Sequence, residues 1–223
     1  MSDENGRLFR ELYFPTFIYY RDLPDPGPLN RTLLDAIYRM REEDAVGLHR
    51  SNVKQAGSWH SVDDLDKREA FAGLVGAITV MAQEVFDDLQ YEQRFVPRID
   101  NMWANLSPRG GFNRMHTHPG VLWSGVYYVQ APPGSGRIFF ADPRVQAQIL
   151  RPRISDAGRL LSHNWAEVFY EPTAGRMLLF PAWLLHEVEP NLTEHTGNDA
   201  DRISISFNLM QVPGGEESTQ PSS

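Results

Sequence analysis

The chain has 223 residues, with 29 acidic against 21 basic side chains for a net charge of −8, and no cysteine. Its length suits one large domain that can bury its own core. The lack of cysteine excludes a disulfide framework, a thiolate zinc site and a cysteine nucleophile, and the negative balance argues against general binding to nucleic acid or an anionic membrane.

The first ten residues are polar and acidic, without the apolar centre of a signal peptide. No run is read as reaching the roughly 20 apolar residues that span a bilayer, so a soluble, cytoplasmic protein is expected. Leu8 to Tyr20 is rich in aromatic and β-branched residues and predicts a strand or extended segment. Pro24, Pro26 and Pro28 then break the chain. From Leu29 the spacing turns helical, with Leu33, Leu34, Ile37 and Met40 on one face. Ser51 to Leu65 reads as irregular and contains Trp59-His60-Ser61. A second helix is predicted from about Arg68 to Gln90, burying Phe71, Leu74, Val75, Ile78, Met81, Val85 and Leu89.

After Val96 the period changes. Ile99–Leu106, Val121–Gln130, Arg137–Ala141, Trp165–Tyr170, Arg176–Phe180, Leu184–Val188 and Arg202–Gln211 predict short strands separated by Gly/Pro turns. Many short strands at near-regular spacing predict a sandwich or barrel, and a jelly roll is one such solution with a mouth for a small ligand. The overall expectation is an α+β, mainly β, single domain over residues 1–212. Helices occupy 1–95, the β core occupies 96–212, and a disordered Pro/Gly/Ser/Glu tail follows from Pro213 to Ser223.

Chemistry concentrates in Met115-His116-Thr117-His118-Pro119. On a strand, residues two apart share a face, so His116 and His118 project together. A divalent metal would satisfy both imidazoles, and His186, a lone polar residue in an apolar strand, is the candidate third ligand. In Arg202-Ile203-Ser204-Ile205-Ser206-Phe207-Asn208, Arg202 and Ser204 share one face and Ile203 and Ile205 the other. An always-charged planar guanidinium beside a hydroxyl makes a carboxylate clamp. His49, His163 and His195 have no supporting pattern, and Asn191-Leu192-Thr193 matches a glycosylation acceptor that an intracellular chain would not use.

These elements occur in the order His-x-[acid or His], distant His, then Arg-x-Ser. In that order they resemble the iron(II)/2-oxoglutarate-dependent oxygenase superfamily. The resemblance is closer to a group of mostly uncharacterised bacterial and phage oxygenases within it. It is carried by Asn101-Met102-Trp103-Ala104-Asn105, Gly111-Phe112-Asn113, His116-Thr117-His118-Pro119-Gly120 and Ser124-Gly125-Val126-Tyr127-Tyr128-Val129. It continues through Ile138-Phe139-Phe140-Ala141-Asp142-Pro143-Arg144, Leu179-Phe180-Pro181-Ala182-Trp183-Leu184-Leu185-His186 and Arg202 to Asn208. It covers Asn101 to Leu209, and extends weakly to Phe14-Pro15-Thr16 and Trp59-His60-Ser61.

The resemblance implies a double-stranded β-helix (a jelly roll, cupin-like) with N-terminal helices packed on it. It implies iron(II) held by His116, His118 and His186, with dioxygen and 2-oxoglutarate as co-substrates. The far carboxylate of 2-oxoglutarate would meet Arg202 and Ser204, with added hydrogen bonds from Tyr127, Tyr128 or Asn105. Hydroxylation of a small molecule or peptide side chain would release succinate and CO2, with no catalytic residue beyond the metal centre. Trp59, Trp103, Trp123 and Trp183 read as core and strand-face packing, with Trp59, Trp123 and His60 as candidates for the substrate mouth in a functional reading.

One departure stands out. The usual superfamily triad carries a carboxylate two residues after the first histidine, where this chain has His118. Either His118 is a ligand in a three-His site or a nearby acid such as Asp142 supplies the carboxylate. The resemblance, in which this position is itself histidine, implies the first. Two rival functions remain: a cupin-like three-His dioxygenase or isomerase that ignores 2-oxoglutarate, and a non-catalytic β-barrel binding module. A homodimer is the default assembly.

Overall fold

The structure is a computed structural model that describes residues 8–50 and 57–214. After β1 (Tyr19–Asp22) come helix α1 (Gly27–Glu43), the single turn α2 (Gly47–Arg50) and the short β2 (Trp59–His60). Helix α3 (Ala72–Asp88) precedes the strand-rich half: β3 (Phe95–Ser107), β4 (Asn113–His116), β5 (Trp123–Gln130) and β6 (Ile138–Ala141). Two short helical turns, α4 (Val145–Ile149) and α5 (Asp156–Arg159), lead to β7 (Glu167–Tyr170), β8 (Arg176–Pro181), β9 (His186–Val188) and β10 (Arg202–Pro213).

The strands form two antiparallel sheets. The larger has the order β1-β8-β5-β10-β3-β2 and the smaller β4-β9-β6-β7. Facing sheets of this kind make the double-stranded β-helix, an α+β and mainly β architecture. The crossing order in both sheets joins strands that are distant in sequence, which brings β4 and β9 side by side.

Period-2 alternation separates two interiors. Met102, Ala104 and Leu106 of β3 and Ile203, Ile205, Phe207 and Leu209 of β10 face the helices. There they pack with Leu33 and Ile37 of α1 and Leu74, Ile78 and Val85 of α3. The opposite face of the large sheet meets the small one through Val126, Tyr128, Ile138, Phe140, Leu178, Phe180 and Leu184. Each fully buried aliphatic side chain contributes about 1.5–3 kcal/mol relative to exposure, so both seams hold the layers firmly. The polar residues left on the inner face of β3 and β10 line the space between the sheets.

The boundaries differ from expectation where tertiary pairing decides them. The predicted strand over Leu8–Tyr20 is paired only from Tyr19, because β1 finds partners only along Leu179 to Arg176 of β8. Leu8, Leu12 and Phe14 lie largely exposed before it. At the other end β10 runs on, opposite Phe95, to Pro213, the residue at which the strand-free tail was expected to begin. Residues 215–223 lie outside the described part. Glu69–Asp88 is long and apolar enough by length and composition to cross a bilayer, contrary to the expectation that no run would be. Here its apolar face covers β3, and Leu74, Ile78, Met81, Ala82, Val85 and Phe86 are buried.

Gly125 shows how closely the central strands pack. A Cβ there would sit 2.2 Å from the Phe207 ring and 2.8 Å from the carbonyl oxygen of Leu178. Backbone cannot yield as a side-chain tip can. Gly125→Ala is therefore expected to cost about 1–3 kcal/mol as overpacking, seen as a lower urea midpoint with an unchanged slope.

Candidate metal centre and cleft

His116 ends β4 and His186 begins β9, and the two stand directly opposite each other in the register of that pair. Their ring centroids are 4.3 Å apart. His118 lies two residues past the strand, where its backbone N–H donates to the Ala182 carbonyl at 2.8 Å. That bond ties the loop to the turn before His186. His118 is 5.1 Å from His116 and 5.2 Å from His186, centroid to centroid. One nitrogen from each of the three rings lies within 4.8 Å of the others.

The hydrogen bonds favour one tautomer. His116 Nδ1 is 2.6 Å from the Arg114 carbonyl and His186 Nδ1 is 2.8 Å from that of Leu184. A carbonyl only accepts, so each Nδ1 carries a proton, and in the neutral ring the lone pair is then on Nε2. This is the usual outer support of a metal-bound histidine. Burial and the neighbouring His116 push His186 down to about 3, against the pull of the Leu184 carbonyl. Burial, then His116, push His118 down to about 4, opposed by hydrogen bonding with Asn208. Both rings are therefore neutral donors at pH 7, which fits a divalent cation that binds imidazole.

The same shifts predict acid sensitivity without metal. Both folded-state values lie below the ordinary 6.5, so below that pH the unfolded chain binds protons that the folded cluster refuses. Stability should fall from about pH 6.5 toward pH 3–4 and rise again with pH. Metal-free protein is expected to lose more of its melting temperature between pH 7 and 5 than His186→Leu does, measured by calorimetry in a chelating buffer.

The cleft has a volume of about 300 Å³ and continues inward from the imidazoles along Asn113, Tyr128, Ile138, Val188, Arg202 and Ser204. Arg202 opens β10 and is only 2% exposed. Its guanidinium donates to the carbonyls of Ser135, Glu189 (3.0 Å) and Gly111 (3.4 Å). Among the described residues no carboxylate pairs with it: that of Glu189 is held by Arg137 at 2.9 and 3.0 Å. Burial pushes Arg202 down to about 10, although the nearby Tyr128 and Glu189 favour its charge. Gly136, at φ +92°, makes the room, since a Cβ there would lie 2.8 Å from Arg202 Nη1. A desolvated cation whose hydrogen bonds among the described residues all go to carbonyls is poised for an incoming anion.

Ser204, Ser206 and Asn208 follow Arg202 along the cleft face of β10. Asn105 stands opposite Ser204 and donates through Nδ2 to Ser206 Oγ at 3.1 Å. His60, across from Asn105, also lines the cleft.

Three other expected residues do not line it. Tyr127 faces the helices and its hydroxyl donates to Asn30 Oδ1 at 2.6 Å; its neighbour Tyr128 takes the cleft side. Trp59 is buried in the helix-side core, its indole N–H donating to the Asp44 carbonyl at 2.9 Å. Trp123 is buried in the same layer, edge-on to Tyr19. Asp142, the alternative carboxylate, is bound by Arg144 at 2.9 and 3.0 Å and faces a separate depression beside Trp165. Asn191 is fully buried and donates to the Ser107 and Ala200 carbonyls, a structural role rather than a glycan acceptor.

Trp103, expected to be packing, is instead in the cleft wall with Asn113 and Asn208. Its signal was available: Asn101, Trp103 and Asn105 alternate with Met102, Ala104 and Leu106. An aromatic in phase with two asparagines belongs to the polar face.

Residues 101–208 match the sequence family described as "Putative 2OG-Fe(II) oxygenase". No curated protein matches the sequence significantly. Among solved structures the fold is similar to a prolyl-4-hydroxylase of Pseudomonas putida (18% identity, 87% of this chain and 93% of that one, TM-score 0.59). It is also similar to the epimerase SnoN in complex with Fe3+, alpha-ketoglutarate and nogalamycin RO (16% identity, 92% and 89%, TM-score 0.59). A third is HygX of Streptomyces hygroscopicus with nickel and 2-oxoglutarate bound (14% identity, 90% and 84%, TM-score 0.55).

Proposed function

We propose, from the premise that this chain is a 2-oxoglutarate- and iron(II)-dependent oxygenase, that it hydroxylates an uncharged part of a small molecule or peptide side chain, releasing succinate and CO2. The observation that carries the co-substrate assignment is Arg202: a buried guanidinium without a carboxylate partner among the described residues, in the same cleft as three clustered imidazoles.

In this reading His116, His118 and His186 hold the iron, each through its free ring nitrogen. Arg202 receives the far carboxylate of 2-oxoglutarate, with Ser204 supplying a hydroxyl beside it. Of the three residues considered for added hydrogen bonds, Tyr128 and Asn105 take that role and Tyr127 does not. When bound, iron and 2-oxoglutarate together activate dioxygen, and the oxidative decarboxylation supplies the oxidising power. The protein orients the reactants and keeps the inner cleft dry through Val126, Ile138, Phe180 and Val188. Among the described residues, the ionisable side chains that line the cleft are His60, the three clustered histidines, Tyr128 and Arg202. Asn105, Thr117, Ser206 and Asn208 offer neutral hydrogen-bonding groups, which supports an uncharged substrate moiety. His60 stands at the outer end of that wall.

The test is succinate release by metal-free protein reloaded with iron(II), ascorbate and 2-oxoglutarate, against a panel of neutral and charged small molecules and peptides. Succinate formation that rises with a neutral member is the expected result. Iron-dependent turnover indifferent to 2-oxoglutarate would instead establish the three-His dioxygenase reading.

A further inference from the structure

The three imidazoles are not held alike. His116 and His186 each bond, through Nδ1, to the carbonyl of the residue two positions earlier, at 2.6 and 2.8 Å. Those bonds lock the ring to its own backbone. Among the described residues no such carbonyl holds the ring of His118, which lies beyond the end of β4 in the loop that follows. What the His118 ring has instead is a hydrogen bond with Asn208 at its edge and a flat neighbour on its face. The indole of Trp103 lies 5.9 Å from it at an interplanar angle of 23°. Trp103 in turn stacks on His60 at 5.6 Å and 13°, and His118 stacks on His186 at 5.2 Å and 11°. A row of near-parallel rings thus runs from the rim of the cleft to the cluster.

Such pairs are offset-stacked, a geometry worth about 0.5–1.5 kcal/mol beyond burial. That suffices to select one ring orientation among several. Trp103 is itself set by β3, whose period-2 phase is fixed by Met102 and Ala104 in the helix-side core. His60 is set by its pairing across from Asn105. The rigid strand therefore supplies the orientation that the loop backbone at His118 does not.

From this contrast we infer that Trp103 is the positioning residue for His118, holding through its stacked face the ring that occupies the place of the usual carboxylate, with His60 as its backing. The inference rests on the reading of His118 as a ligand, and the test separates the two. Co2+ is titrated into metal-free protein and followed by its visible absorption and by calorimetry. His118→Ala is expected to lose tight binding. Trp103→Leu, which keeps apolar bulk but no flat ring, should bind Co2+ about 10-fold more weakly, the order lost with outer-shell partners, and with an altered spectrum. Trp103→Phe should remain near the parent protein in both. His60→Ala should have a smaller effect in the same direction.

Should Trp103→Leu fail to fold, Trp103→Met makes the same contrast with Trp103→Phe. An unchanged affinity and spectrum in the non-aromatic variant, with His118→Ala defective, would overturn the positioning role and leave the ligand reading standing. Parent-like Co2+ binding by His118→Ala would overturn the ligand reading and the inference with it.

Discussion

His186→Gln is expected to leave the folded protein without stoichiometric iron and to lower 2-oxoglutarate turnover by at least about 10³-fold, the scale seen when one member of a catalytic unit is removed. Of the three imidazoles, His186 is the most constrained. It is 3% exposed, and Phe180 and Phe140 pack against it at 4.8 and 5.9 Å. Its lone pair therefore has one direction available, toward His116 and His118. Glutamine fills much of the same space and keeps a hydrogen-bonding group, so the core stays packed, whereas alanine would add a cavity penalty. Elemental analysis of untagged protein and succinate assays read the two effects separately. Full iron occupancy in this variant would remove His186 from the metal centre and with it the whole cluster reading.

Arg202→Lys is expected to raise the KM for 2-oxoglutarate by about 10- to 1,000-fold. A planar guanidinium makes two parallel charge-assisted bonds to a carboxylate, each worth about 1.5–3 kcal/mol. An ammonium is a point charge that cannot reproduce that fork. Losing one such bond corresponds to roughly one to two powers of ten in affinity, and the second raises the ceiling. Lysine keeps a positive charge among the Ser135, Glu189 and Gly111 carbonyls, so the folded state retains a donor there. Saturation kinetics at fixed iron would show the effect mainly in KM, as lost ground-state binding does. An unchanged KM would assign Arg202 to structural bonding alone and return the co-substrate question to the three-His alternative.

Different parts of this protein were legible to different degrees. The two helices and most strands were readable because their apolar spacing is regular: Leu33, Ile37, Leu74, Ile78 and Val85 sit where a 3.6 period puts them. The polar face of β10 was equally readable, since Arg202, Ser204, Ser206 and Asn208 alternate cleanly with Ile203, Ile205, Phe207 and Leu209. The phase of β5 was not. Ser124 to Val129 is buried on both faces, so apolar residues appear at odd and even positions alike. A slip of one residue exchanges the faces, and this is why Tyr127 and Tyr128 stood as alternatives, of which only Tyr128 lines the cleft. The tryptophans were ambiguous for a related reason: an indole fits a core or a cleft wall, and only the surrounding layers decide. Trp59 and Trp123 meet helices, while Trp103 meets two imidazoles.

By itself the sequence determined which side chains are available for chemistry: the His-x-His pair, the solitary His186 and the alternating Arg202 and Ser204, all recognisable because local spacing assigns each to a face. Only the tertiary structure decided that they meet. The antiparallel register of β4 and β9 sets His116 across from His186, and the burial of Arg202 leaves its charge without a carboxylate partner among the described residues. Local spacing reaches only along one element, whereas register and desolvation arise from strands far apart in the chain being packed against one another.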